Sequence, residues 1–213
     1  MNLVERFHEG GVFMYFILTF GICTAYIIAD RVWALYFRVK PVSNSFKQQL
    51  RDYLKRGDLT GAQEFARNHK NVVAAPIVEL ACKLKAEASG EEELQSRIDE
   101  ALSEEIARLD KRTGFLAVFG NVATLLGLLG TISGMITSFA AVAGVSSMER
   151  ATMLSKGISE AMNCTAFGLL VAIPALVAYA FFQSKTESMT ASLTDSVSKV
   201  YHDLLFLYER KTN

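Results

Sequence analysis

Thr113–Met148, TGFLAVFGNVATLLGLLGTISGMITSFAAVAGVSSM, runs for 36 residues without an Asp, Glu, Lys or Arg. About 20 apolar helical residues cross a bilayer core, so this stretch alone argues against a water-soluble globule. Two further stretches are equally bare: Gly10–Ala29 over 20 residues and Ala161–Ser184 over 24. The expected fold is an all-α integral membrane protein with three transmembrane helices.

The remaining charges set the orientation. Lys and Arg gather on the cytoplasmic side of membrane proteins. Residues 1–9 carry one of them, residues 31–112 carry 15, residues 141–159 carry two, and residues 184–213 carry four. The expected order is a periplasmic N-terminus (1–10), transmembrane helix 1 (11–35), a cytoplasmic helical domain (36–112), transmembrane helix 2 (113–142), a periplasmic loop (143–158), transmembrane helix 3 (159–183) and a cytoplasmic C-terminal helix (184–213). Trp33, Tyr36 and Phe37 stand at the inner end of the first span, where an aromatic belt belongs. Asp30–Arg31 reads as an interfacial pair there. The first apolar run lacks a small-residue cleavage site after it, so it reads as a retained anchor.

Composition excludes several classes of function. With 22 basic and 22 acidic residues, the chain is not a basic nucleic-acid binder. At 51% hydrophobic it is not a disordered chain. Cys23, Cys82 and Cys164 are scattered and read as packing residues. His8, His69 and His202 have no partners at metal-ligand spacing. No nucleophile–base pair or phosphate-cradling loop is present, so the chain is not expected to be an enzyme, nor to need a cofactor or a metal.

Between the first two spans the pattern predicts short amphipathic helices. One covers Ser45–Lys55 and stops at Gly57–Asp58; another covers Leu59–Arg67; a third opens near Pro76 and runs through Lys85. From Glu91, apolar residues at Leu94, Ile98, Ala101, Leu102, Ile106 and Leu109 recur at three and four. With no breaker in sight, residues 91–142 predict one continuous rod of about 78 Å. The third span continues into a heptad-like tail of Leu193, Val197, Val200, Leu204 and Leu207.

The second span carries a polar stripe. Asn121, Thr124, Thr131 and Ser138 fall within about 100° on a helical wheel. Two readings stand: hydroxyls bonded to their own helix carbonyls, or a water-accessible lining. Beside the stripe, Gly120, Ala123, Gly127, Gly130 and Gly134 form a small face, assigned to helix packing. The third span holds Glu160, Asn163, Cys164 and Thr165 near one end. A carboxylate within a span is a functional candidate; one just outside the hydrocarbon is an interfacial helix-start acid. Both readings of Glu160 remain open. Glu160 and Thr165 lie about 140° apart around a regular helix, so they cannot both point at one axis. Gly168 belongs to the packing face, and Pro174 removes a backbone donor and bends the helix.

Three segments resemble a known family. Asn121–Phe139 (NVATLLGLLGTISGMITSF), Gly157–Pro174 (GISEAMNCTAFGLLVAIP) and Asp30–Trp33 (DRVW) resemble the span signatures of the MotA/TolQ/ExbB proton-channel family. Length and the single N-terminal span fit its TolQ/ExbB branch. The resemblance implies a bacterial inner-membrane motor subunit, a homopentamer enclosing two copies of an ExbD/TolR-like single-span partner whose Asp carries protons. It implies that Thr131 and Thr165 line the inner cavity and that Glu160 affects proton passage or assembly. It also implies that proton motive force is coupled to work on an envelope or outer-membrane load. Asn163–Cys164 departs from the aliphatic or small residues usual there. The competing reading is a membrane scaffold that conducts nothing.

Overall fold

A computed structural model describes residues 11–87, 90–142 and 146–212, with side chains over the same residues except 147–148 and 207–212. The proposed periplasmic N-terminus, residues 143–145 of the connecting loop and the side chain of Leu207 lie outside the described residues. The described chain is helical: α1 (Val12–Val32), α2 (Asn44–Lys55), α3 (Leu59–Asn68), α4 (Ala75–Ala86), α5 (Glu91–Asp110), α6 (Thr113–Ala141) and α7 (Ser147–Thr212). The only strand-like pairing among the described residues is an isolated parallel bridge between Lys40 and Val72. Three helical stretches are long and apolar enough to cross a membrane, Val12–Arg38, Glu91–Ala141 and Glu149–Phe206.

The chain divides into two units. The membrane unit comprises residues 11–31 and 112–181, and the other, termed the soluble unit after its charge-rich short helices, comprises residues 32–111 and 182–212. In the soluble unit each short helix starts where a cap allows it. The Ser43 hydroxyl accepts from the Phe46 amide at 3.2 Å and opens α2. Gly57, at φ +74°, ends that helix, and the Asp58 carboxylate accepts from the Gly61 amide at 2.8 Å to open α3. Pro76 occupies the first turn of α4, where its missing donor costs nothing. The core buries Phe46, Leu50, Leu54, Ile77, Val78, Leu94 and Ile98, together with Met189, Leu193, Val197, Val200 and Leu204 of α7. The tail's heptad pattern is thus its buried stripe. Cys82 is fully buried, and burial pushes its thiol up to about 11, which keeps it a protonated packing group.

Two expectations about continuity are corrected. The rod over 91–142 is two helices, because Lys111 turns extended (ψ 128°) and Arg112 is left-handed at φ +67°. That conformation costs a non-glycine residue roughly 1–2 kcal/mol. The Arg112 guanidinium donates to the Asp30 carboxylate at 3.3 Å, a contact that favours the break. Conversely, most of the expected loop 143–158 is helix from Ser147 onward. Ser146 and Glu149 form a capping box: the Ser146 hydroxyl accepts from the Glu149 amide at 3.4 Å, and the Glu149 carboxylate accepts from the Ser146 amide at 3.3 Å.

In the membrane unit, α1 buries Met14, Ile17, Thr24, Ile27 and Arg31. Met14 and Ile17 pack with Cys164 in one cluster flanked by Phe13, Leu126, Phe167 and Val171. The opposite side of α1 exposes Val12, Tyr15, Phe16, Leu18, Ile22 and Tyr26, as a helix that meets lipid should. Asp30 lies 3.7 Å from Arg31 as well. Pro174 is exposed and α7 stays helical through it.

Candidate functional site

The site is built on the seam between α6 and α7, and that seam is made of glycine. A β-carbon at Gly127 would stand 3.2 Å from the Cys164 carbonyl oxygen and 3.3 Å from the Gly168 Cα. One at Gly168 would stand 2.7 Å from the Ala123 carbonyl oxygen. Gly120 faces Leu176 and Ala172, Gly134 faces Ala161, and Gly130 and Gly157 press on Cys164 and Ser138. Helices in lipid gain nothing from burying apolar surface against each other, so close backbone approach has to hold them.

The hydroxyls of the stripe are engaged locally. Thr124 donates to the Gly120 carbonyl at 3.1 Å, Thr131 to Leu128 at 2.6 Å and Ser138 to Gly134 at 2.6 Å. Thr165 differs: its hydroxyl crosses the seam to the Gly127 carbonyl at 3.1 Å. In helical register that same carbonyl accepts the Thr131 amide, so one backbone group joins the two threonines. Each hydroxyl oxygen keeps acceptor capacity.

The candidate residues do not share one face. Asn121 and Thr124 are exposed, Thr131 and Thr165 are half-buried, and Ser138 is buried. Thr131 lines an open cleft of about 700 Å³ with Ile132, Met135, Ile136, Phe139, Ile158, Ala161 and Met162. It is the single hydroxyl in that lining. Glu160 lines a different cleft of about 410 Å³, beside Phe13 of α1, with Ser133, Thr137, Ser138 and Lys156. Glu160 is half-buried. Its neighbour Ala161 packs on Gly134, about 10 Å along α6 from Ala141. The Nδ2 of Asn163, three residues on, is buried without a hydrogen-bond partner.

Ser133, Thr137 and Lys156 were missed in the sequence. Ser133 and Thr137 are one turn apart, with the Thr137 hydroxyl on the Ser133 carbonyl at 2.9 Å. A count in threes and fours from Gly130 finds this face, whereas the stripe follows a spacing of seven.

Fold and site define a multi-pass α-helical membrane protein with hydroxyls and a single carboxylate along a glycine-packed helix pair. A family model described as the MotA/TolQ/ExbB proton channel family matches residues 67–195. The chain belongs to that family, and its relatives place it in the TolQ/ExbB branch. It is 29% identical over 192 residues to the biopolymer transport protein ExbB of Pseudomonas putida, covering 86% of this chain and 58% of that protein's length. It is 33% identical over 184 residues to ExbB of Salmonella typhimurium, covering 79% and 73%. A solved structure of C. jejuni MotAB shares the fold at TM-score 0.63 and 15% identity, over 95% of this chain and 79% of that one.

Proposed function

We propose that this chain is the channel subunit of a bacterial inner-membrane motor that passes protons together with a single-span, ExbD/TolR-like partner. Copies of the chain, five by family resemblance, enclose the partner's span, two copies of it by the same resemblance. Residues 1–10 and the 143–158 segment face the periplasm, and the soluble unit faces the cytoplasm. The energy released, about 2.3 kcal/mol per charge per 100 mV, drives work on the cell envelope: outer-membrane energisation, envelope integrity, transport or motility.

One observation carries this reading: the cleft beside Thr131 is apolar except for one hydroxyl. That lining suits an apolar guest helix bearing a single polar group. The spans themselves supply no titratable acid at mid-depth. Residues 113–141 and 161–181 contain no Asp, Glu, Lys, Arg or His, so a proton crossing there needs a carboxyl from another chain. Thr131 then works as a two-state contact. While its proton is held by Leu128, it offers only lone pairs, which favour a protonated guest carboxyl. Turned away from Leu128, it donates to the carboxylate instead.

The scaffold alternative has one observation in its favour, since Thr124, Thr131 and Ser138 all satisfy their hydroxyls within α6. The two readings separate in proteoliposomes containing the chain and its partner. The motor reading expects Thr131→Val to lower proton flux about tenfold or more, the loss of one hydrogen bond to a charged group, and Thr131→Ser to retain most of it. No flux in the parent complex would leave the scaffold, and full flux in Thr131→Val would take Thr131 out of the pathway.

A further inference from the structure

The two clefts of the membrane unit are distinct. The one holding Glu160 opens toward α1, with Phe13 as its apolar wall. The one holding Thr131 opens between Ile132 and Met162. Ala161 is the residue common to both, and its contact with Gly134 closes the seam between them. A guest helix seated at Thr131 therefore does not meet Glu160 through that opening.

Glu160 has its own polar surroundings. Ser133, Thr137 and Lys156 line its cleft. Among the described residues, neither Glu160 nor Lys156 has an ion-pair or hydrogen-bond partner. A half-buried carboxylate at membrane depth is costly unless something polar reaches it. The cleft volume of about 410 Å³ is many times what one water needs, and the hydroxyls provide the two or more polar partners an ordered water requires.

We propose that this α1-side cleft is a hydrated vestibule, bringing water and hydronium to Glu160 within a single subunit from the end where α6 gives way to α7. It rests on the proton-channel reading and adds a second, separate wet compartment to it. Ser133, Thr137 and Lys156 are its polar lining. Glu160 is the group at which an entering proton arrives, and the seam is what keeps it apart from the guest face.

Cysteine scanning in proteoliposomes containing the chain and its partner tests this. Ser133→Cys and Thr137→Cys are treated with a charged, membrane-impermeant methanethiosulfonate added to each side in turn. Parent chain sets the blank, and Leu18→Cys on the exposed side of α1 is the lipid-facing control. Both cleft cysteines are expected to label from one side only, and labelling to lower proton flux about tenfold, as a plug in a lined pathway does. Leu18→Cys is expected to stay unlabelled. Failure of both cleft cysteines to label, or labelling with unchanged flux, overturns the vestibule. Flux before labelling is read separately: an unlabelled complex that never conducts strikes the proton-channel reading, whereas one that conducts with its cleft plugged strikes only the vestibule.

Discussion

The membrane unit and the soluble unit share α7 but are held together in opposite ways. Up to Phe181, the buried face of α7 presents Ala161, Cys164, Gly168, Ala172 and Ala175; beyond it, the buried face presents Phe182, Met189, Leu193, Val197 and Leu204. Where the first set packs on α6, its nearest contacts are backbone atoms and small side chains. The second set is large aliphatic and aromatic volume. The surrounding solvent explains the change. In water, removing apolar surface is worth about 25 cal/mol per Å², so large side chains supply the stability. In lipid that term vanishes between helices, and dispersion between close backbones with a few hydrogen bonds has to replace it. One helix therefore reads as two sequences.

The largest expected effect falls on the soluble side. Leu193→Ala deletes a fully buried side chain and should cost about 3 kcal/mol, measured by denaturant unfolding of the purified protein. A loss below about 1 kcal/mol would break the contrast. Next comes the glycine whose β-carbon would meet backbone most closely along the seam. Gly168→Ala drives a methyl group against the Ala123 carbonyl and should cost about 2 kcal/mol by overpacking. Gly114→Ala on the same helix pair meets nothing within 4 Å and should be neutral or gain up to about 1 kcal/mol. Thermal melting of both variants in detergent sharpens the comparison, and equal effects would remove it. Smaller again is Thr165→Val, which gives up the bond to Gly127 for about 0.6 kcal/mol, the average for such bonds in membranes.

The smallest effect is electrostatic and belongs to the soluble unit. Hydrogen bonds from Lys199, at 2.9 Å, and from Lys47, at 3.2 Å, hold the Asp195 carboxyl below its ordinary range. A lowered folded pKa stabilises above the unfolded value, about 3.9 for Asp, and that contribution fades as pH falls through the lowered one. The melting temperature should therefore drop slightly more on acidification below pH 4 in the parent than in Asp195→Asn. Salt should shrink the difference, because the pair is exposed.

Much of this was legible in the sequence where a single physical rule dominates. The absence of charge located three membrane-crossing stretches, and Gly57, Asp58 and Pro76 marked the ends of short helices because their backbone chemistry leaves few alternatives. The break at Lys111–Arg112 was not legible. Neither residue is a breaker, and the partner that rewards the turn, Asp30, is 82 positions away. The early start of α7 was legible in principle, since Ser146 and Glu149 have capping-box spacing, but the apolar run that defined the span began later. For the candidate site, residue types were readable and their grouping was not. The wheel put Thr131 and Ser138 in one stripe, whereas helix packing buries Ser138 against Gly157 and leaves Thr131 on the open cleft.

The central claim is that this chain lacks the mid-membrane acid its own pathway requires. Proton flux under an imposed membrane potential, compared between proteoliposomes holding the chain alone and holding it with its single-span partner, tests that claim most directly. The account predicts tight vesicles with the chain alone, conduction with the partner, and tight vesicles again when the partner's intramembrane Asp is changed to Asn. Equal conduction by the chain alone would contradict it.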